Sequence, residues 1–180
     1  RYGIELTNFT DIVADSKLTI LNSVLANNGV ARGLCLPSGS DLSRKQVDNL
    51  TQLVQDHGGK GMLSFAILGE GPLSKLTISE VRSPVSKHFT IDQLQALAER
   101  AKAKRGDMIL LVAGTEKIVN VALDSLRREL ADQMDLADPN VCSFAFITEY
   151  PLFEWSENEK RWTSSHHPFT APYDEDLPLL

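Results

Sequence analysis

The chain has 180 residues, with 18 basic and 24 acidic side chains, a formal net charge of -6, 42% hydrophobic residues and two cysteines. That is enough for one core-forming domain and part of a second, and too acidic for a uniformly basic nucleic-acid surface, although a few local cations can still grip a phosphate backbone. No window reaches the run of about 18 apolar residues that a membrane span needs, the first residues form no apolar signal core, and two cysteines without a C-x-x-C spacing support neither a disulfide framework nor a cysteine-built zinc site. A reducing compartment is the default.

In chain order, the apolar run 33–37 reads as a strand closed by Pro37. Asp41–Ser43 then offers an N-cap to a helix over 44–56, where Val47, Leu50, Leu53 and Val54 fall at helical spacing, and Gly58–Gly59 ends it. Residues 62–68 read as the next strand. Thr90 caps a helix whose apolar stripe is Ile91, Leu94, Leu97, Ala98 and Ala101, stopped at Gly106–Asp107 before the buried strand 108–113. Thr115 and Glu116 open a third helix with Ile118, Val121, Ala122, Leu126 and Leu130 on its inner face. The pattern predicts an α+β module around a mixed sheet.

Composition changes near Pro139. Residues 1–140 carry 16 basic and 17 acidic side chains, whereas 141–180 carry 2 and 7 together with eight of the twelve aromatics, so two modules are expected to meet there. Residues 143–153 read as a strand, followed by a polar turn and the segment 162–172. Neither a fixed-period repeat nor a low-complexity tract is present.

The histidines His57, His88, His166 and His167 fit no zinc-ligand spacing. His57 reads as a helix C-terminal residue favoured by the macrodipole, and His88 as a surface or packing residue. Cys35 and Cys142 both read as inert, buried thiols. The tract Gly58–Gly61 contains a lysine but lacks the phosphate-loop frame, and reads as a helix end and turn. Arg44–Lys45 and Arg127–Arg128 read most simply as solvated helix faces; in the alternative, they are the candidate phosphate contacts. His166 and His167, adjacent before a proline, cannot both face one way in an extended chain, so one can point into a site while the other braces the loop.

The segment 144–172, FAFITEYPLFEWSENEKRWTSSHHPFTAP, with DEDLPLL after Tyr173, resembles the bacterial-type aspartyl-tRNA synthetases, which carry F-x-W-V-T-D-F-P-L-F followed by H-H-P-F-T-x-P. Ala145 to Ile147 and Glu149 depart modestly from that pattern. Upstream, RYGIEL at 1–6, LSRKQVD at 42–48, GGKG at 58–61, SPVSKHF at 83–89, GDMILLVAG at 106–114 and ALDSLRREL at 122–130 resemble the insertion module of the same enzymes, the GAD domain, shared with GatB-type amidotransferase subunits.

The resemblance implies a catalytic-domain flank at 1–9, a GAD insertion domain at 10–138 and, at 139–180, a strand and loop of the antiparallel class II catalytic domain. It implies a parent that activates aspartate with ATP and Mg2+ and transfers it to tRNA(Asp), as a homodimer in the cytoplasm or the mitochondrial matrix. His166 maps to an aspartate contact and His167 to its neighbour in the same loop. Class II motifs 1, 2 and 3 are absent from these residues, so the chain by itself is expected to be an inactive, cofactor-free monomer with no membrane partner. The alternative is a non-enzymatic tRNA-interaction module of a GatB-type amidotransferase subunit; the H-H-P-F segment and its preceding strand favour the synthetase.

Overall fold

A computed structural model describes residues 3–138, 140–142, 144–148, 150–156, 158–165 and 171–179. Residues 1–138 and 139–180 form two compact units. The first holds five strands, β1 (Thr7–Asn8), β2 (Val30–Leu36), β3 (Leu63–Ile67), β4 (Val81–Arg82) and β5 (Met108–Gly114), and five helices, α1 (Thr10–Val13), α2 (Thr19–Ala26), α3 (Arg44–Asp56), α4 (Ile91–Arg100) and α5 (Glu116–Gln133).

The sheet order is β1-β2-β5-β3-β4. The α+β class is as expected, but the sheet is not mixed: every pairing is antiparallel, so β2 and β3 run one way and β1, β5 and β4 the other. The reason lies where the chain enters β5. The Gly106 N–H donates to the Ile67 carbonyl at 2.7 Å and the Ile67 N–H to the Asp107 carbonyl at 2.9 Å, so the chain meets the end of β3 and runs back along it.

Side-chain alternation along the strands divides the core. Ala31, Phe65, Ile67, Ile109 and Leu111 face α1, α2 and α4, with Phe9, Val13, Leu21, Leu94 and Leu97 closing that layer. Leu34, Leu36, Ala66, Met108, Leu110 and Val112 face α3 and α5, against Leu50, Val54, Val119, Ala122, Leu123 and Leu126. Each fully buried leucine contributes about 1.5–3 kcal/mol of transfer free energy. The stripe of α5 differs from expectation at one position, since Val121 is exposed and Val119 and Leu123 carry the packing.

The helix ends follow from local chemistry. At α3, Gln46 N–H donates to Ser43 Oγ at 3.3 Å and Ser43 N–H to Gln46 Oε1 at 2.9 Å; Thr90 and Gln93 repeat this reciprocal cap at α4. Gly58, at φ +87°, lets its N–H reach the Gln55 carbonyl and the Gly59 N–H the Val54 carbonyl, both at 2.9 Å. That is a Schellman ending, which needs the left-handed conformation glycine adopts freely. The helices α1 and α2, unforeseen in the sequence, have no side-chain cap.

The second unit is built on a hairpin of β6 (Phe153–Ser156) and β7 (Arg161–Ser164), with Trp155 opposite Trp162, ring centroids 5.8 Å apart and edge to face. The strand expected over 143–153 is a correction: among the described residues, 144–148 and 150–152 have no strand, and Phe144 and Phe146 are almost fully exposed. A strand needs a paired neighbour, and among the described residues of this unit 161–164 provides one to 153–156 and none is provided to 144–152. Cys142 is likewise exposed instead of buried, while Cys35 is half-buried in β2. No helix among the described residues is long and apolar enough to cross a membrane.

Gly33 is fixed by close approach. A Cβ there would lie 2.3 Å from the Leu110 carbonyl oxygen and 3.1 Å from the Phe9 ring, whereas one at Gly61 would meet nothing within 4 Å. Gly33→Ala is therefore expected to lower the stability measured by urea unfolding by about 2 kcal/mol through overpacking, with Gly61→Ala close to neutral.

Candidate nucleic-acid interface

The two basic pairs sit in one helical layer. α3 ends beside the start of α5, where a Cβ on Gly58 would lie 3.8 Å from the Ile118 side chain, and the two helices pack along their lengths on the same sheet face. They run in opposite directions, so Arg44 and Lys45 at the start of α3 share an end of the layer with the later turns of α5, which carry Arg127 and Arg128.

The pairs differ in what holds them. Arg127 and Arg128 both bind Asp124, Arg127 through Oδ1 and Arg128 through Oδ2 at 2.8 Å. Arg127 is only 19% exposed and its Nε is buried without a hydrogen-bond partner, whereas Arg128 is 69% exposed. Arg44 and Lys45 are exposed and have no ion-pair partner among the described residues. The tether was legible in the sequence, because Asp124 stands three and four residues before the two arginines, the spacing at which helical side chains meet. His166 and His167 lie outside the described residues.

Several other cations serve the fold. Arg32 of β2 reaches Glu116 and Asn120 of α5, both at 2.6 Å. Arg100 of α4 binds Asp11 of α1, and that hydrogen bond holds the Asp11 carboxyl below its ordinary range. Arg105, 12% exposed, donates to the carbonyls of Leu68, Gly71 and Pro72 and lies 3.4 Å from Glu80, pinning the 68–80 loop. Glu80 Oε2 also accepts from the Thr77 N–H at 2.8 Å and the Thr77 hydroxyl at 2.9 Å. The Thr77 backbone bond, then the Thr77 hydroxyl and then Arg105 hold Glu80 below the usual carboxylate range.

His57 Nδ1 donates to the Leu53 carbonyl at 2.8 Å, the helix-end role its position suggested. Burial first and the neighbouring Asp107 second push the Cys35 thiol up to about 12, which leaves it a poor nucleophile near neutral pH. No group of three or more His, Cys, Asp or Glu among the described residues is placed to hold a metal.

An antiparallel sheet covered on both faces by helices, with an exposed basic pair at one helix start, is an α+β module. The family model for the GAD domain matches residues 21–123, more than half of the chain, and the chain belongs to that family. It is 40% identical over 181 residues to the Aspartate--tRNA(Asp/Asn) ligase of Dehalococcoides mccartyi, a match covering all of this chain and 30% of that protein. It is 39% identical to the ligases of the same name from Geotalea uraniireducens, over 98% of the chain, and Moorella thermoacetica, over 100% of it; each match covers 28% of the relative. The chain thus spans less than a third of the length of these relatives.

Because Glu80 is held low, its stabilising effect is complete above the ordinary glutamate value of about 4.3 and disappears as pH falls through its own lower value. Glu80→Gln should have a lower urea midpoint than the parent at pH 7, and the gap should close as pH drops below about 4. A gap constant down to pH 3 would contradict this assignment.

Proposed function

We propose that this chain is the insertion module of an aspartate–tRNA ligase together with a piece of its catalytic domain. The carrying observation is that the likeness to Aspartate--tRNA(Asp/Asn) ligases runs through both compact units, well beyond residue 123 where the GAD match stops. This favours the ligase over a free GatB-type tRNA-interaction module, for which the 139–180 segment has no evident use. In this reading 1–9 is a catalytic-domain flank, 10–138 the insertion and 139–180 the catalytic segment.

The longer protein would join the aspartate carboxylate to ATP, forming aspartyl-adenylate, and pass the aspartyl group to the terminal ribose of tRNA(Asp). ATP and Mg2+ would be held by segments outside these residues, and the parent would act as a homodimer in the cytoplasm. His166 would contact the substrate aspartate, with His167 bracing the same loop. An imidazolium or imidazole N–H beside a carboxylate supplies a charge-assisted hydrogen bond. Arg44 and Lys45 would meet tRNA phosphates, with Arg128 at the edge of the same surface. Arg127, largely buried and bound to Asp124, would orient that edge.

The test is aspartate charging by the full-length enzyme on tRNA(Asp) and tRNA(Asn). Charging of tRNA(Asp) is expected, and His166→Ala should raise KM for aspartate about tenfold or more. Absence of charging overturns the reading. In tRNA binding by the same enzyme, Arg44→Ala/Lys45→Ala should weaken affinity and reduce the slope of log K against log salt by about 2, one phosphate contact per side chain. An unchanged slope would remove this pair from the interface.

A further inference from the structure

A second feature lies at the opposite end of the α3–α5 layer from Arg44. A crevice of about 280 Å³ opens between α2, the turn after α3 and the junction of β5 with α5. Val24, Ala113 and Ile118, all half-buried, form its floor, and Ser23, Asn27, Lys60 and Thr115, all exposed, stand around its rim. Its volume is just below the range that holds drug-sized ligands, and fits one ring system with a small polar group attached.

The lining has a definite charge. Lys60 is its only charged side chain, and it has no partner among the described residues. No lining residue is acidic; Glu116, the carboxylate next in sequence to the rim, is bound to Arg32 at 2.6 Å. Thr115 makes no side-chain cap to α5, so its hydroxyl is not engaged by the helix it precedes. Asn27 Nδ2 donates to the Ser23 carbonyl at 2.7 Å, which fixes the carboxamide at the rim with its oxygen available to accept. The glycine-lysine tract that reads as a plain helix end in sequence thus also contributes a lysine to the lining of this crevice.

We propose that this crevice takes one phosphorylated nucleotide, of the kind an unpaired RNA residue presents. The base would lie on Val24 and Ile118, its polar edge would meet Asn27 and Ser23, and the phosphate would meet Lys60 and Thr115. An aliphatic floor can cover the face of a base and remove it from water, and a lysine at the rim contributes a charge-assisted bond to phosphate. The site is separate from the Arg44–Lys45 contact.

The test is residue-resolved NMR titration of the 180-residue chain with adenosine 5′-monophosphate, adenosine, inorganic phosphate and a single-stranded oligoadenylate. Adenosine monophosphate should shift backbone signals of residues 23–29, 58–60 and 113–118 saturably. Lys60→Ala, removing the charge, and Ser23→Trp, filling the crevice from an exposed helical position, should each weaken binding about tenfold or more, and Lys75→Ala should leave it unchanged. Oligoadenylate should move the same signals at least as tightly as the mononucleotide.

Equal binding of adenosine or of inorganic phosphate, an equal loss in Lys75→Ala, or no saturable shift overturns the proposal. Oligoadenylate that leaves these signals unmoved overturns the RNA source. Occupancy by a mononucleotide is read without tRNA or aminoacylation, so its failure leaves the ligase reading intact, and failure of that reading leaves the crevice to be judged by the titration.

Discussion

The seven-residue pairing of β5 with β2, from Val30 opposite Gly114 to Leu36 opposite Met108, is the constraint from which the first unit is built. β5 is buried on both faces over Met108 to Val112, so neither helical layer can form a core without it. The same strand also pairs with β3, and its two ends place two loops: Gly106 and Asp107 lock onto Ile67, and Gly114 leads directly into α5. Loss of β5 packing would open both cores at once, which is the structural origin of a single cooperative unit over residues 1–138.

The charged groups follow from that architecture. Helices on both faces of one sheet must be fixed in rotation and height, and arginines provide cross-links where apolar contacts end. Arg32 ties β2 to α5, Arg100 ties α4 to α1, and Arg105 ties the chain entering β5 to the 68–80 loop. Individually, exposed pairs of this kind contribute little to stability. Arg105, mostly buried and bound to three carbonyls and a carboxylate, is different, because its removal would leave several acceptors without their donor.

Much of this was readable from residue order, and the exceptions have physical causes. α3, α4 and α5 were legible because each combines a polar residue just ahead of its first turn with a stripe of apolar side chains at helical spacing. α2 was not, because it begins at Leu18 without a side-chain cap and fully buries only Leu21. The antiparallel course of β5 depends on which neighbours β3 accepts, information that no local window contains. Residues 143–153 show the converse error: β-prone composition makes a strand only where a partner edge exists. At the candidate interface the cations were legible but their availability was not, although the Asp124 spacing carried that signal in part.

These ion pairs bear directly on how such a module can meet RNA. Binding driven by phosphate contacts scales with the number of cations released to it, and residues 1–140 have 16 basic side chains against 17 acidic ones. Arg32, Arg100, Arg105 and Arg127 are paired with carboxylates within the fold. Of the exposed cations that remain, Arg44 and Lys45 lie at one end of the α3–α5 layer and Lys60 at the other, and Lys17, Lys75, Lys87, Lys104 and Lys117 are exposed too. The near-neutral balance of charge works against a broad electrostatic grip by this unit. In the proposed reading, contacts about one helix length apart, roughly 20 Å for α3, would orient an RNA held mainly by other parts of a longer protein.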